Sequence, residues 1–174
     1  MQSIAIDMDE TIADTLAKFI VWYKRDFGVE FDHDALRGKE LSSMVPPERR
    51  GIFLQYLNTP GFCRDIPVIR DAPEVLEKLN SRYEIYVCSS ATEFPNSLKD
   101  KLDWTLEYFP FLTWRQVCLC GNKHLIQTDI MIDDRSRNFT SFRGRKILFT
   151  QNHNFSETGF ERANSWKEVE GLLL

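Results

Sequence analysis

Carboxylates, small hydroxyls and lysines recur in this chain where apolar runs stop. Asp7 and Asp9 close the run that begins at Ser3, Ser89 and Ser90 follow Glu84–Cys88, and Gly121 to Lys123 follow Val117–Leu119. Asp133 and Asp134 end the run that begins at Asp129. Side chains alternate along a strand, so the i, i+2 spacing of Asp7 and Asp9 points both to the same side as strand gives way to loop. Two carboxylates held together repel, and a divalent cation is the usual compensation. Alone, the Asp-x-Asp reads as a solvated turn after an edge strand. Together, the carboxylates, hydroxyls and a lysine make an oxygen-ligand site for a hard cation with counter-charge for an anionic substrate. Histidine and cysteine hardly feature, so the set suits magnesium better than zinc.

These groups need elements to position them. Ser3 to Asp7 reads as a buried strand. Ala13 to Phe27 reads as a helix with Leu16, Phe19, Ile20, Tyr23 and Phe27 on one stripe, stopped at Gly28. Residues 29–46 show no period, and a second helix over about 47–57 turns Ile52, Phe53, Tyr56 and Leu57 inward. Asp71-Ala-Pro-Glu74 has the capping-box pattern and opens a helix to about Asn80; Ser165-Trp-Lys-Glu168 repeats the pattern before a terminal helix. Between them, strands over Glu84–Cys88, Val117–Leu119, Asp129–Ile132 and Lys146–Phe149 surround a helix from Pro95 to Phe109, with Leu98, Leu102, Thr105, Leu106 and Phe109 inward. Lys101 lies within that stripe, where it either snorkels to solvent or reaches an anion at the site.

Strand–helix alternation from residue 71 onward predicts an α/β protein: an open, Rossmann-like parallel sheet with helices on both faces. Residues 15–70 hold no clear strand and interrupt that alternation. They read as a small helical cap inserted after the first strand, on a core of 1–14 and 71–174. In an open parallel sheet ligands bind beyond the carboxyl ends of the strands, where the charged residues collect.

The composition bounds the function. With 174 residues, 43% hydrophobic and 28% charged, the chain fits one domain with a modest insertion. A formal net charge of −4 offers no basic footprint for a nucleic-acid polymer. No stretch approaches a membrane span and no signal peptide is visible, so a cytoplasmic protein with no membrane partner is expected. Cys63, Cys88, Cys118 and Cys120 lack zinc-finger spacing and are expected to be reduced.

Asp7-Met-Asp-Glu-Thr11 resembles the DxDxT motif of haloacid dehalogenase-like phosphatases, and Ser89, Lys101 and Asp133-Asp134 resemble that superfamily's later motifs in order and spacing. The inserted cap, Cys88-Ser-Ser90, Lys101 with Trp104 through Tyr108-Phe109, Lys123 and Ile132-Asp-Asp-Arg135 look like the 5'(3')-deoxyribonucleotidases. The resemblance implies a magnesium-dependent hydrolysis of deoxyribonucleoside monophosphates through an aspartyl-phosphate. Asp7 would be the nucleophile and Asp9 the acid and base; Asp7, the Asp9 backbone carbonyl and Asp134 would hold the metal. Ser89, its neighbouring amides and Lys101 would hold the phosphoryl group. A dehalogenase needs no acid at position 9.

Several choices stay open in the sequence. Ser89 is alternatively a plain turn residue, with Ser90 as understudy. Successive residues point opposite ways, so one of Asp133 and Asp134 ligates directly; the resemblance favours Asp134, with Asp133 in support. Lys123 is a supporting residue or a solvated loop lysine. Phe19, Phe62 and Arg64 are the cap residues available to a nucleoside, although aromatics at helical spacing are usually core. Relatives often carry an aromatic where this chain has Thr15. His33, His124 and His153 read as structural or solvated. Rival functions are a phosphatase for a sugar phosphate, a catalytically idle binding module and a nucleic-acid end phosphatase. The oligomeric state is open, a dimer included.

Overall fold

β1 (Ser3–Asp7) lies inside a six-stranded sheet with β2 (Glu84–Ser89), β3 (Val117–Leu119), β4 (Ile130–Asp133), β5 (Arg145–Phe149) and β6 (Glu161–Ala163). The order is β3-β2-β1-β4-β5-β6 and every pair is parallel. The computed structural model describes residues 1–32 and 34–174, so His33 lies outside the described residues. The chain builds outward from β1 to β3 on one side and from β4 to β6 on the other. The order therefore reverses between β1 and β4, and a crevice opens at the carboxyl ends of those two strands. Asp7 and Asp133 end them.

Alternation gives the sheet two different faces. Ile4, Ile6, Ile85, Val87, Ile130, Ile132, Ile147 and Phe149 enter the main core with Val75 and Leu79 of α3 (Ala72–Asn80), Trp104 of α4 (Leu98–Tyr108), and Trp166 and Val169 of α5 (Trp166–Leu173). Ala5, Cys88, Met131 and Leu148 face the other way, against Phe139 and Phe142. Helices on both faces were expected. Among the described residues, however, the connections after β3, β4 and β5 carry only 3-10 turns, because each is too short for a packed helix. The sequence reading also missed β6. Glu161 and Arg162 show no apolar alternation, and the strand is held by backbone pairing to β5 and by the Arg145–Glu161 ion pair at 2.6 Å.

Between β1 and α3 lie α1 (Thr15–Phe27), α2 (Ile52–Leu57) and a series of 3-10 turns. α1 starts two residues later than its apolar stripe suggests, because Ala13 is taken by a bridge to Val68; Asp14 then caps the helix by accepting from the Ala17 amide at 2.9 Å. Gly28 ends it at φ 66°. Phe19, Trp22, Tyr23, Phe53, Tyr56 and Phe62 interlock between α1, α2 and the following turn, with centroids as close as 4.8 Å for Trp22 and Phe62. Asp71 does not form the expected capping box: its backbone is left-handed (φ 64°) and its side chain caps no amide. At α5, Ser165 accepts from the Glu168 amide as expected, but Glu168 reaches back to the Asn164 amide. Among the described residues, no helix is long and apolar enough to cross a membrane.

Candidate active site

Asp7 emerges from β1 buried, on the face of the sheet that carries Cys88 and Met131. Its Oδ1 accepts from the Met8 amide at 2.7 Å and is ion-paired with Lys123. Lys123 is buried, and its Nζ also donates to Asp133 Oδ2 at 2.9 Å. The lysine is therefore no solvated loop residue. Burial works against its charge, but Asp7 and Asp133 outweigh it and hold the ammonium firmly protonated. Asp7 itself is raised well above the ordinary carboxylate range, first by burial and then by the charge of Asp133.

Asp9 has different company. Its Oδ2 accepts from Ser89 Oγ at 3.0 Å and from Lys101 Nζ, and Lys101 also donates to Ser89 Oγ at 3.0 Å. Its Oδ1 accepts from Thr15 Oγ1 at 3.1 Å. Burial pushes Asp9 upward, but the Lys101 charge and the bonds from Lys101 and Ser89 prevail and lower it. Lys101 is buried and aimed at the site, so it does not snorkel. The inward face of α4 is Ser97, Lys101, Trp104 and Thr105, while Leu98, Leu102 and Leu106 are half-buried. Trp104 sets this rotation by donating its Nε1 to the Ile66 carbonyl at 2.7 Å. Ser90, just past β2, is exposed at the cavity rim.

Asp133 and Asp134 are both buried at the end of β4, and both lie near Asp7. The rule that successive side chains oppose fails here because Asp134 is already beyond the strand. Asp133 is occupied on both oxygens, by Lys123, the Arg135 amide at 2.8 Å and Asn138 Nδ2 at 2.9 Å. Burial, followed by the Asp133 charge, raises Asp134 to about 7. One carboxylate oxygen from each of Asp7, Asp133 and Asp134 lies within 4.8 Å of the others. This donor set fits a hard cation: all its atoms are oxygens, and burial followed by mutual repulsion raises two of its members, Asp7 and Asp134, above the ordinary carboxylate range.

A cavity of about 240 Å³ brings together Asp7, Asp9, Ser89, Ser90, Lys101, Lys123 and Asp134. A second, more apolar chamber of about 490 Å³ adjoins it, walled by Leu16, Leu41, Phe53 and Leu54. Glu10, Phe19, Leu57 and Arg135 line both spaces. Of the expected cap residues, only Phe19 reaches them. Phe62 is fully buried among the Phe19, Trp22 and Tyr56 rings, and Arg64 pairs with Glu107 on α4; neither lines the cavity.

Several neighbours escaped the sequence reading. His153 is not free of the site: its Nε2 lies 3.1 Å from both the Asp134 carbonyl and Asp134 Oδ2. It follows β5, and the rule that placed the other residues beyond strand ends applies there too. Arg135 pairs with Glu40, tying the helical insertion to the sheet. Glu10 holds a left-handed backbone (φ 59°), accepts from the Leu16 amide at 2.6 Å, and offers its carbonyl to Gln151 Nε2 at 2.6 Å.

The family model for 5' nucleotidase, deoxy (pyrimidine), cytosolic type C protein matches residues 1–174. The chain is 38% identical over 180 residues to the 5'(3')-deoxyribonucleotidase of Bacillus subtilis (strain 168), covering 98% of each. It is 42% identical over 175 residues to a Staphylococcus aureus protein that carries the same name provisionally, covering 99% of this chain and 96% of that one. In fold it is similar to a haloacid dehalogenase-like hydrolase of Streptococcus pneumoniae, with TM-score 0.63, 15% identity and 100% and 99% coverage. A haloacid dehalogenase-like hydrolase of Bacillus subtilis solved with magnesium gives TM-score 0.57 at 13% identity, with 99% and 98% coverage.

Proposed function

This chain belongs to the 5'(3')-deoxyribonucleotidase family within the haloacid dehalogenase-like fold, and we propose that it is a magnesium-dependent hydrolase of deoxyribonucleoside monophosphates working through an aspartyl-phosphate. The observation that carries the reading is the meeting of Asp7, Asp9, Ser89, Lys101 and Asp134 in one cavity where the strand order reverses. Asp7, Asp134 and the Asp9 backbone carbonyl are the groups that would hold magnesium, which supplies charge neutralisation for the phosphoryl oxygens and the attacking carboxylate.

The side chains divide the remaining work. Asp7 attacks phosphorus, forming the Asp7–phosphorus bond as the bond to the sugar oxygen breaks. Asp9 gives its proton to that leaving oxygen, then takes one from the water that releases inorganic phosphate and regenerates Asp7. In the free site Lys101 and Ser89 hold Asp9 ionised. A phosphoryl group competes for both donors, and as they turn to it Asp9 loses the contacts that keep its proton off. Protonation of the acid is thereby tied to arrival of the substrate. Lys123 and Asn138 keep Asp133 and Asp7 oriented.

Residues 15–70 act as a cap over a core of 1–14 and 71–174. The apolar chamber beside the phosphate cavity takes the nucleoside, with Phe19 at the junction. A cytoplasmic location accords with the cytosolic-type family. The test is a panel of deoxynucleoside, ribonucleoside and sugar monophosphates, assayed with magnesium and with EDTA, on wild type and Asp7→Asn. Turnover is expected only with magnesium and wild type, and greatest on deoxynucleotides. Equal rates on sugar phosphates would refute the substrate assignment; turnover by Asp7→Asn would refute the mechanism.

A further inference from the structure

A row of side chains crosses one face of the sheet and joins two thiols to the nucleophile. Cys118 on β3 is in register with Cys88 on β2, and Cys88 is in register with Asp7 on β1. In-register neighbours point to the same face; Cys120 follows the end of β3, where its amide donates to the Ser89 carbonyl at 2.9 Å. The Cys88 thiol donates to its own strand, to the Tyr86 carbonyl at 3.7 Å. Cys88 is buried, whereas Cys118 and Cys120 are half-exposed. The active-site mechanism uses none of the three.

We infer that Cys118 and Cys88 form a peroxide-oxidisable dithiol that closes a disulfide across β2 and β3, next to Asp7. Parallel neighbours lie about 4.8 Å apart, inside the Cα window of about 4.4–6.8 Å for a disulfide. Cys118 and Cys120 are not strand neighbours: Cys118 is on β3 and Cys120 lies past its end, with no facing strand residue to pair it with Cys118. The Cys118 thiol is lowered to about 6, first by hydrogen bonding from Cys88 and also by Cys120 and the Lys123 charge, which favours the reactive thiolate. Cys63 is an internal contrast: burial pushes its thiol up to about 12.

The chemistry balances with peroxide as oxidant. The Cys118 sulfur attacks one peroxide oxygen; the S–O bond forms, the O–O bond breaks and the hydroxide released is protonated to water. The Cys88 sulfur then attacks the Cys118 sulfur; the S–S bond forms, the S–O bond breaks and the hydroxide leaves as water with the Cys88 proton. Two thiols are oxidised and one peroxide is reduced to two waters. The bridge pulls Cys88 toward β3. That movement disturbs Asp7 beside it and Ser89 after it, whose carbonyl already accepts from the Cys120 amide at 2.9 Å.

The full-length protein is treated with hydrogen peroxide, alkylated and digested with trypsin. The peptide Tyr83–Lys99 is expected to be linked to Gln116–Lys123, and dithiothreitol should separate them. Deoxynucleotide turnover should fall by roughly tenfold to a hundredfold, the scale on which slight misplacement of a reacting group acts, and should return with dithiothreitol. Cys118→Ser should form no link and keep its activity in peroxide. A link confined to Cys118 and Cys120, intact thiols after treatment, or equal inactivation of Cys118→Ser would overturn the inference. The activity arm rests on the proposed function and the peptide arm does not, so a wild type inactive before oxidation counts only against the nucleotidase reading.

Discussion

Lys123 is ion-paired with Asp7 in the buried floor of the site, and the same ammonium reaches Asp133 Oδ2 at 2.9 Å. One cation thus serves two carboxylates, with Asp134 close by, 3.5 Å from Arg135 Nε and 3.1 Å from His153 Nε2. The floor is short of positive charge, a deficit that the proposed magnesium would fill. Most of the measurable behaviour of this protein follows from that imbalance.

Lys123→Met leaves Asp7 and Asp133 buried without their shared cation. Breaking such a pair costs about 3–5 kcal/mol. Urea unfolding in EDTA should show a loss of that size, with part of it recovered in magnesium. A loss below about 1 kcal/mol would mean that the pair is screened like a surface salt bridge.

Stability should depend on pH through Asp134, raised to about 7, and through Asp7, raised in the same direction. In EDTA the folded state binds more protons than the unfolded chain between the ordinary carboxylate range and about pH 7. Stability is therefore greatest below that window and falls as pH rises through about 7. Magnesium needs the ionised carboxylates, so its affinity should rise over the same interval. Thermal melts across pH with EDTA and with magnesium read both trends, and Asp134→Asn should flatten them.

Magnesium at a hundred times its Kd should stabilise the wild type by about 2.7 kcal/mol. Differential scanning fluorimetry should register this as a clear rise in Tm. Asp134→Asn should show a much smaller rise while keeping a wild-type circular dichroism spectrum. An equal rise in both proteins would place the ion elsewhere.

Asp9→Asn removes a proton donor while keeping the hydrogen-bonding shape seen by Ser89 and Lys101. Turnover of deoxynucleotides, whose sugar oxygen leaves poorly without a proton, should fall by roughly a hundredfold to ten-thousandfold. p-Nitrophenyl phosphate has a leaving group that departs without help, and should lose far less. Equal losses on the two substrates would remove Asp9 from the acid role.

Glu10 carries a left-handed backbone that costs a non-glycine residue about 1–2 kcal/mol, and its carboxylate holds the Leu16 amide. Glu10→Ala keeps the strained backbone and loses the hydrogen bond, whereas Glu10→Gly loses both the bond and the strain. Denaturant melts should rank Glu10→Gly above Glu10→Ala by about 1 kcal/mol, because glycine enters this conformation without penalty.

The α/β class, five of the six strands and the identity of the charged residues at their carboxyl ends were legible in the sequence. Each rests on a local cause: period-two burial for the strands, period-3.6 burial for the helices, and breaks such as Gly28. β6 was not legible, because a short polar edge strand has no buried face to write into its sequence. The capping box at Asp71 failed for a related reason: the sequence pattern was present, but the left-handed backbone at Asp71 left its side chain uncapping.

The sequence by itself determined which residues could act: Asp7, Asp9, Ser89, Lys101, Lys123, Asp133 and Asp134 follow from residue type and position relative to strand ends. Only the tertiary structure decided how they divide. The rotation of α4 about Trp104 turned Lys101 onto Asp9, and the loop after β3 carried Lys123 under Asp7. Packing drew Phe62 into the ring cluster and left Arg64 with Glu107, while His153 reached Asp134 from beyond β5. The physical reason is range. Periodicity and capping are written within a few residues, whereas an ion pair between positions 101 and 9 exists only once strand order and helix rotation have brought the two ends together.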